Sequence, residues 1–284
     1  MRTLVHLSDL HFGHVDEALL APLIERVCAL APDVVVVSGD LTQRARSHEF
    51  EQARDFLAQL PAPRIVVPGN HDVPLYNLLD RFLRPLHRYR SIVEPDLAPH
   101  FIDAEIAVLG VNTARSFVVK DGRINEEQIA ALREVLCPLA DHVVWVVVTH
   151  HPFDVHEGGD ANDVVGRASL AMNAFAQCRV DLLLAGHVHM SHHADSGERY
   201  AMAGYEALIV SAGTATSTRG RGENNSFNLL RIADPRIEVQ RYEWRPETAS
   251  FEPASRRVFV RRGAGWEDGT HLPDARDAPP LSGA

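Results

Sequence analysis

Lysine is almost missing from this chain: Lys120 is the single one among 28 basic residues, and the rest are arginine. That bias is given no functional weight. Positive charge is scarce overall, 28 Lys and Arg against 38 Asp and Glu, for a formal charge of −10. A surface built to neutralise a nucleic-acid backbone is excluded on that balance, so no nucleic-acid polymer is expected as a partner. A small anionic substrate remains compatible with it if metal ions concentrate positive charge locally. Cysteine is also sparse. Cys28, Cys137 and Cys178 are odd in number, widely spaced and set among apolar residues, which predicts reduced core thiols rather than a disulfide framework or a zinc knuckle. No apolar stretch approaches the length of a membrane span, and residues 1–5 run straight into a strand without the pattern of a signal peptide. The expectation is a soluble cytoplasmic protein with no membrane partner. What the chain does possess is 45% hydrophobic residues over 284 positions, enough for a sizeable core.

Apolar runs alternate with helical patterns through the first seventy residues. Residues 3–7, 34–37 and 64–67 read as strands, the second a continuous β-branched run of the kind buried on both faces. Between them, residues 16–30 and 47–60 carry apolar side chains at helical spacing, with Ser47 as the expected N-cap of the second. That order predicts parallel strands with right-handed crossovers. Residues 75–90 predict one or two short helices interrupted at Pro85, and residues 101–103 and 106–111 a strand pair. Asn125 caps a helix running to about Leu136, residues 143–148 form a strand, 167–178 a helix and 180–185 a further strand. Beyond them the helical patterns stop. Short strand candidates at 199–203, 207–211, 226–233, 236–244 and 256–261 predict a second, largely antiparallel sheet. Residues 1–262 are expected to form a single domain, and 263–284, rich in Gly, Pro and Asp, a disordered tail.

Five of these strands end in residues that pack poorly and react well. Ser8-Asp9-Leu10-His11, Ser38-Gly39-Asp40, Pro68-Gly69-Asn70-His71-Asp72, Thr149-His150-His151-Pro152 and Gly186-His187-Val188-His189 each follow an apolar run. Loops at the carboxyl ends of parallel strands face one side of a sheet, where ligands collect. Residues two apart in extended chain share a face, so Asp9 with His11, and His187 with His189, can act as pairs on one centre. Nitrogen and carboxylate donors without thiolate suit Mn, Fe, Zn, Ni or Co. Seven such donors are too many for one ion that keeps an open position, whereas two ions sharing a carboxylate accommodate them. Asp40, alone at its strand end, is the natural bridge.

In order and spacing these five blocks resemble the signature of the calcineurin-like metallophosphoesterases, and the Gly-Asn-His-Asp with Gly-His-Val-His variant resembles the bacterial class III cyclic-nucleotide phosphodiesterases, with glycerophosphodiesterases close by. The resemblance spans roughly residues 1–215. It implies an α/β fold, a four-layer αββα sandwich of two mixed sheets flanked by helices. It implies two divalent or mixed-valence transition metal ions (Mn, Fe or Zn), one held by Asp9, His11, Asp40 and His189, the other by Asp40, Asn70, His150 and His187. A hydroxide bridging them would attack the phosphorus, with Asp40 and His71 as the catalytic residues, His71 protonating the leaving group and, with Asn70, meeting the substrate. Asp72 either supports His71 or a ligand from behind or caps the following turn; His151 is the neighbour that could be mistaken for His150. His14, His192 and His193 are expected in solvated loops, and Arg219 and Arg221 either reach a substrate phosphate or lie on the surface.

Substrate choice follows from departures within the family. Protein Ser/Thr phosphatases carry Asp-Arg-Gly and Asn-His-Glu where this chain has Leu41-Thr42-Gln43-Arg44 and Asn70-His71-Asp72, and the lipid-A pathway diphosphatases carry Arg in place of His71. The resemblance therefore implies hydrolysis of a small phosphodiester such as a 3′,5′-cyclic nucleotide. Phosphomonoesterase or glycerophosphodiesterase activity is the alternative, and a non-catalytic scaffold of the same fold the outside one. The partner is a small-molecule phosphoester, with a homodimer left open.

Overall fold

The computed structural model describes residues 1–116, 120–138, 143–155, 160–200, 202, 204–218, 222–263 and 265–271. Strand β1 (Arg2–Leu7) leads through a short turn into α1 (Leu20–Leu30), followed by β2 (Val34–Ser38), α2 (Ser47–Leu57) and β3 (Arg64–Val67). The three strands are parallel neighbours. Their side chains alternate between two cores. Val5, Leu7, Val35 and Val37 pack with Leu23 and Val27 of α1 and Phe50 and Ala53 of α2, whereas Leu4, Val34 and Val36 point to the opposite face. Burial on both faces explains why these runs lack polar alternation. Helix α2 starts one residue earlier than the Ser47 cap implies: Arg46 is the N-cap, and buried Glu49 reaches back to accept from the Arg44 and Arg46 N–H groups.

The middle of the chain supplies α3 (Leu78–Leu83) and α4 (His87–Ile92), separated around Pro85, then the antiparallel pair β4 (His100–Ile102) and β5 (Ile106–Gly110). Helix α5 (Glu126–Leu136), β6 (Val144–Val148), α6 (Ala168–Cys178) and β7 (Leu182–Ala185) follow. The Asn125 side chain does cap α5, accepting from Gln128 N–H. Strands β8 (His192–Asp195), β9 (Leu208–Ser211), β10 (Ser226–Ala233), β11 (Arg236–Arg245), β12 (Ser250–Arg262) and β13 (Gly265–Asp268) complete the order. Two mixed sheets result, β13-β12-β11-β10-β1-β2-β3 and β4-β5-β6-β7-β9-β8. Their facing sides share a core containing Val36, Val67, Val108, Val146, Leu184 and Leu230. Helices α5 and α6 cover the outer face of the second sheet, giving the αββα layering.

Four expectations need correction. The C-terminal strands do not build a sheet of their own; β10 pairs antiparallel with β1 and carries β11 to β13 onto the first sheet. Strand β10 has apolar side chains on both faces, Phe227 and Leu229 toward one core and Leu230 and Ile232 toward the other, which suits an interior position beside β1. The expected strand at 199–203 is absent among its described residues, where Tyr200 instead hydrogen-bonds the Phe153 carbonyl; the neighbouring strand is β8. Cys137 and Cys178, 41 residues apart, form a disulfide joining the ends of α5 and α6, while Cys28 is exposed. Packing of two helices brought together thiols that spacing kept apart. Finally, β13 with its buried Trp266 lies inside the stretch expected to be tail; residues 272–284 lie outside the described residues. No helix among the described residues is long and apolar enough to cross a membrane.

Candidate active site

The carboxyl ends of β1, β2 and β3 in one sheet meet those of β6 and β7 in the other. His150, after β6, donates from Nδ1 to the Ser38 carbonyl at the end of β2 (2.8 Å), and the His187 N–H, after β7, donates to Asp9 Oδ2 beyond β1 (3.1 Å). Asp9, His11, Asp40, His187 and His189 all have positive φ, between 50° and 71°. Left-handed backbone costs a non-glycine residue roughly 1–2 kcal/mol, and here it turns side chains from successive loops inward. Two glycines permit the close approach: a Cβ on Gly69 would collide with Asp40 Oδ1, and one on Gly186 with Ser8 Oγ.

Two donor groups form. Asp9, His11, Asp40 and His189 place ligand-type atoms within 4.8 Å of one another, all buried. Asp9 Oδ1 lies 3.7 Å from His11 Nε2 and 3.5 Å from His189 Nε2, and Asp40 Oδ2 lies 3.7 Å from His11 Nε2. On its other side, Asp40 Oδ1 is 3.4 Å from His150 Nε2, which is 3.1 Å from Asn70 Oδ1 and 3.2 Å from His187 Nδ1. Asp40 thus turns one oxygen toward each group.

These contacts are not those of a closed hydrogen-bond network. Asp9 Oδ1 and His11 Nε2 are buried without a hydrogen-bond partner. With the His150 Nδ1–H given to Ser38, a neutral His150 presents the lone pair of Nε2 to the Asn70 oxygen, acceptor against acceptor. A cation resolves that conflict. In the absence of an ion a proton fills that place: burial works against charge on His150, but the Asp40 carboxylate and its hydrogen bond lift it to about 9. Burial likewise opposes ionisation of Asp40, yet His150 and His71 hold its carboxyl well below the usual range. Nitrogen and oxygen donors 3–4 Å apart around a common point fit ions bound at about 2.0–2.2 Å.

Surrounding side chains orient the donors. Thr214 Oγ1, after β9, holds His189 Nδ1 at 2.6 Å, and Ser8 Oγ donates to Asp9 Oδ2 at 2.6 Å. Asp163, 4% exposed, faces His187 Nε2 at 3.7 Å and pairs with Lys120 at 2.5 Å. The neighbouring His187 ring and the Lys120 ammonium keep its carboxyl ionised. The lone lysine thus stands behind the site, a position nothing in its sequence context announces. His151 Nδ1 lies 2.8 Å from Thr113 Oγ1 and Nε2 2.9 Å from the Lys120 carbonyl. Although its ring lies close to those of His150 and His187, both nitrogens are engaged by Thr113 and the Lys120 carbonyl, so His151 ties two loops together, whereas His150 turns Nε2 toward Asp40. Of the jobs weighed for Asp72, the structure favours support from behind the donors over capping of the following turn. Its buried carboxylate accepts from Leu41 N–H (3.2 Å), Thr42 N–H (2.9 Å), Thr42 Oγ1 (2.9 Å) and Gly69 N–H (2.9 Å), locking the Asp40 loop to the Asn70 loop. Burial first and the Asp40 charge second push it up to about 6.

His71 sits at the mouth. Its N–H donates to Asp40 Oδ1 (2.9 Å), its Nδ1 meets the Gln43 carbonyl (2.9 Å), and its ring stands edge-on to His11 at 4.9 Å. With Asn70, Arg44, Tyr76 and Arg81 it lines a cavity of about 120 Å³, and the Arg44 guanidinium lies 5.5 Å from the Tyr76 ring centre. Larger cavities occur elsewhere, but none contains the buried donors. His14 hydrogen-bonds Thr218, and His192 and His193 lie on edge strand β8, away from the donors. Arg219 and Arg221 lie outside the described residues.

Comparison with known proteins places this arrangement. The chain is 30% identical over 160 residues to the glycerophosphodiester phosphodiesterase GpdQ of Enterobacter lignolyticus, covering 52% of this chain and 56% of that one. It therefore spans little more than half the length of that relative. To the 3′,5′-cyclic adenosine monophosphate phosphodiesterase CpdA of Pseudomonas aeruginosa it is 26% identical over 247 residues, covering 81% and 82% of the two chains. The fold matches a dimetal phosphatase from Danio rerio with TM-score 0.60 at 16% identity, over 84% of this chain and 95% of that one. Residues 2–191, which carry all five strand-end blocks, match the family model of the calcineurin-like phosphoesterases, and the chain belongs to that family.

Proposed function

We propose that this protein hydrolyses a small phosphodiester at a centre of two transition metal ions. The observation that carries the proposal is Asp40, whose two oxygens face two separate sets of buried donors. Asp9, His11, Asp40 and His189 would hold one ion, and Asp40, Asn70, His150 and His187 the other. Such a pair of ions supplies a nucleophile at neutral pH and withdraws charge from the phosphoryl oxygens. The donor set, without thiolate, suits Mn, Fe or Zn.

The remaining work belongs to the chain. The Asp72 clamp and the His71 N–H hold the Asp40 carboxylate with one oxygen toward each donor set, as a bridge between two ions would require. The Ser38 carbonyl and Thr214 hydroxyl fix the ring orientations of His150 and His189, leaving Nε2 of each toward the centre. His71, held at Nδ1 by Gln43, would meet the substrate through Nε2 and protonate the departing alkoxide. Asn70 would help seat the phosphoryl group. Relatives named for cyclic-nucleotide and glycerophosphodiester hydrolysis support a diester over a monoester. Among small diesters, a cyclic nucleotide is the first choice and a glycerophosphodiester the second. We further propose that the expected domain of residues 1–262, extended by β13, acts as one unit.

Elemental analysis of the purified protein, with kcat/KM for cyclic mononucleotides, glycerophosphodiesters and phosphomonoesters on one metal-loaded preparation, tests this. About two ions per chain and the highest kcat/KM on a diester are expected, with Asp40→Asn losing both metal and turnover. Protein that binds no ion and turns over no ester would instead be a scaffold.

A further inference from the structure

Ten large apolar side chains are exposed among the described residues, and six of them fall within nine consecutive positions: Leu75, Tyr76, Leu78, Leu79, Phe82 and Leu83. Leu78, Leu79 and Leu83 are 62%, 72% and 75% exposed. A contiguous apolar patch of this kind marks an interaction surface, unlike single apolar residues scattered over a protein. It begins beside the candidate active site, since Leu75 and Tyr76 line the same cavity as His71.

Charge around the patch runs against the rest of the chain. Residues 75–92 hold Arg81, Arg84, Arg88 and Arg90 and one acid, Asp80, so four positive charges less one negative give +3 in a chain of formal charge −10. Asp80 is occupied by Arg88 at 2.7 Å. Next to Leu83 opens a cavity of about 590 Å³ lined by Arg84, His87, Arg90 and Arg115, with no acidic side chain in its wall. Arg90 Nε donates to the Pro95 carbonyl, and Arg115 to the Asn112 and Ala114 carbonyls and the Gln128 amide oxygen. These partners are neutral, so the cationic charge of the cavity is left for an anion.

An apolar ledge continuous with an arginine-lined cavity has the chemistry of a lipid-water boundary: side chains for the acyl region, guanidinium groups for phosphate headgroups. A second copy of the chain fits less well. A two-fold contact would set a +3 segment against itself, and six apolar side chains are few beside the roughly 20–30 residues per side of a standard interface. We propose that residues 75–92 dock the protein on an anionic lipid surface, with the mouth at His71 at the edge of the contact. The contact is interfacial, made by α3 and its flanks, and departs from the expectation that no membrane partner exists. It does not depend on the proposed catalytic function, because binding alone reads it.

Co-sedimentation with phosphatidylcholine vesicles, with and without about 30% phosphatidylglycerol, tests the proposal. The protein should pellet with the anionic vesicles only, and raising salt from about 0.1 M to about 0.5 M should weaken binding. The double variants Leu79→Glu/Leu83→Glu and Arg84→Glu/Arg90→Glu should each lose about tenfold or more in partition coefficient. A parental urea midpoint for each would show that the fold persists. Equal sedimentation with neutral and anionic vesicles, or none with either, overturns the proposal. So does a dimer in analytical ultracentrifugation that Leu79→Glu/Leu83→Glu dissociates, which would assign the patch to self-association.

Discussion

Replacing His71 by Ala separates proton donation from the rest of the site, because most of what His71 contributes to structure comes from its backbone. The N–H bond to Asp40 Oδ1 survives the substitution, so the Asp40 carboxylate keeps its orientation. What goes is the ring, with its Nδ1 contact to the Gln43 carbonyl and its edge against His11. Losing one hydrogen bond and one aromatic contact at a half-buried position costs about 1–2 kcal/mol of stability, so the fold and metal content should persist. Losing a general acid costs about 10²–10⁴ in rate where the leaving group needs a proton, or about 3–5 kcal/mol in the barrier. A nitrophenolate leaves as a stable anion and needs little help, so its loss should stay near tenfold or below. The assay is kcat/KM on bis(p-nitrophenyl) phosphate beside an alkyl diester such as a glycerophosphodiester, using preparations matched in metal content. Equal losses on the two substrates would refute the acid role. A fall in metal content that accounts for the rate would make His71 a structural residue.

Two further perturbations address neighbouring claims. His150→Ala should bring metal content from about two ions per chain toward one, whereas His151→Ala should keep both ions and lose stability, since its ring joins Thr113 to the Lys120 carbonyl; the opposite pattern in elemental analysis would exchange the two assignments. His6 is fully buried on β1 with Nε2 2.9 Å from Ser38 Oγ, and burial pushes it down to about 3. A depressed histidine leaves the unfolded chain binding a proton that the folded chain refuses, so stability is present above the ordinary value of 6.5 and is lost as pH falls from there toward 3. Over that window the urea-derived stability of His6→Gln should change with pH less steeply than the parent's by about 1.4 kcal/mol per pH unit; an unchanged slope would show that His6 is protonated in the fold.

The five strand ends were legible because each joins an unbroken apolar run to residues that no core would choose, and because parallel strands must deliver their ends to one edge. The loops between them were not. His150 and His151 differ by one position, and only the partners of their rings, Ser38 for one and Thr113 with Lys120 for the other, separate them. Asp163 and Lys120 reach the site from far along the loops that follow β6 and β5, away from the strand ends, so no pattern flags either residue. The destination of β10 was equally hidden: apolar side chains on both faces show that it is interior, but not beside which strand. Cys137 and Cys178 pair through helix packing, which spacing along the chain does not encode.

Why the signal lies in the set of blocks rather than in any one of them follows from how the loops hold one another. Asp9, His11 and Asp40 each sit in left-handed backbone, a conformation that none of these loops would keep alone. It persists because Asp9 N–H donates to the Gly39 carbonyl and His11 N–H to the Asp40 carbonyl, so the β1 loop is hydrogen-bonded along the β2 loop. Asp72 then fastens the β2 loop to the β3 loop through three hydrogen bonds, and a fourth, from Gly69 N–H, closes the β3 loop on itself. Across the sheets, the His187 N–H on Asp9 and His150 on Ser38 close the circuit. Each strand end is thus shaped by the residues of another, and the Asp40 carboxylate is set in its orientation by the protein alone. Asp72, which touches neither His71's ring nor any metal donor's side chain, is one of the residues on which that preorganisation depends most.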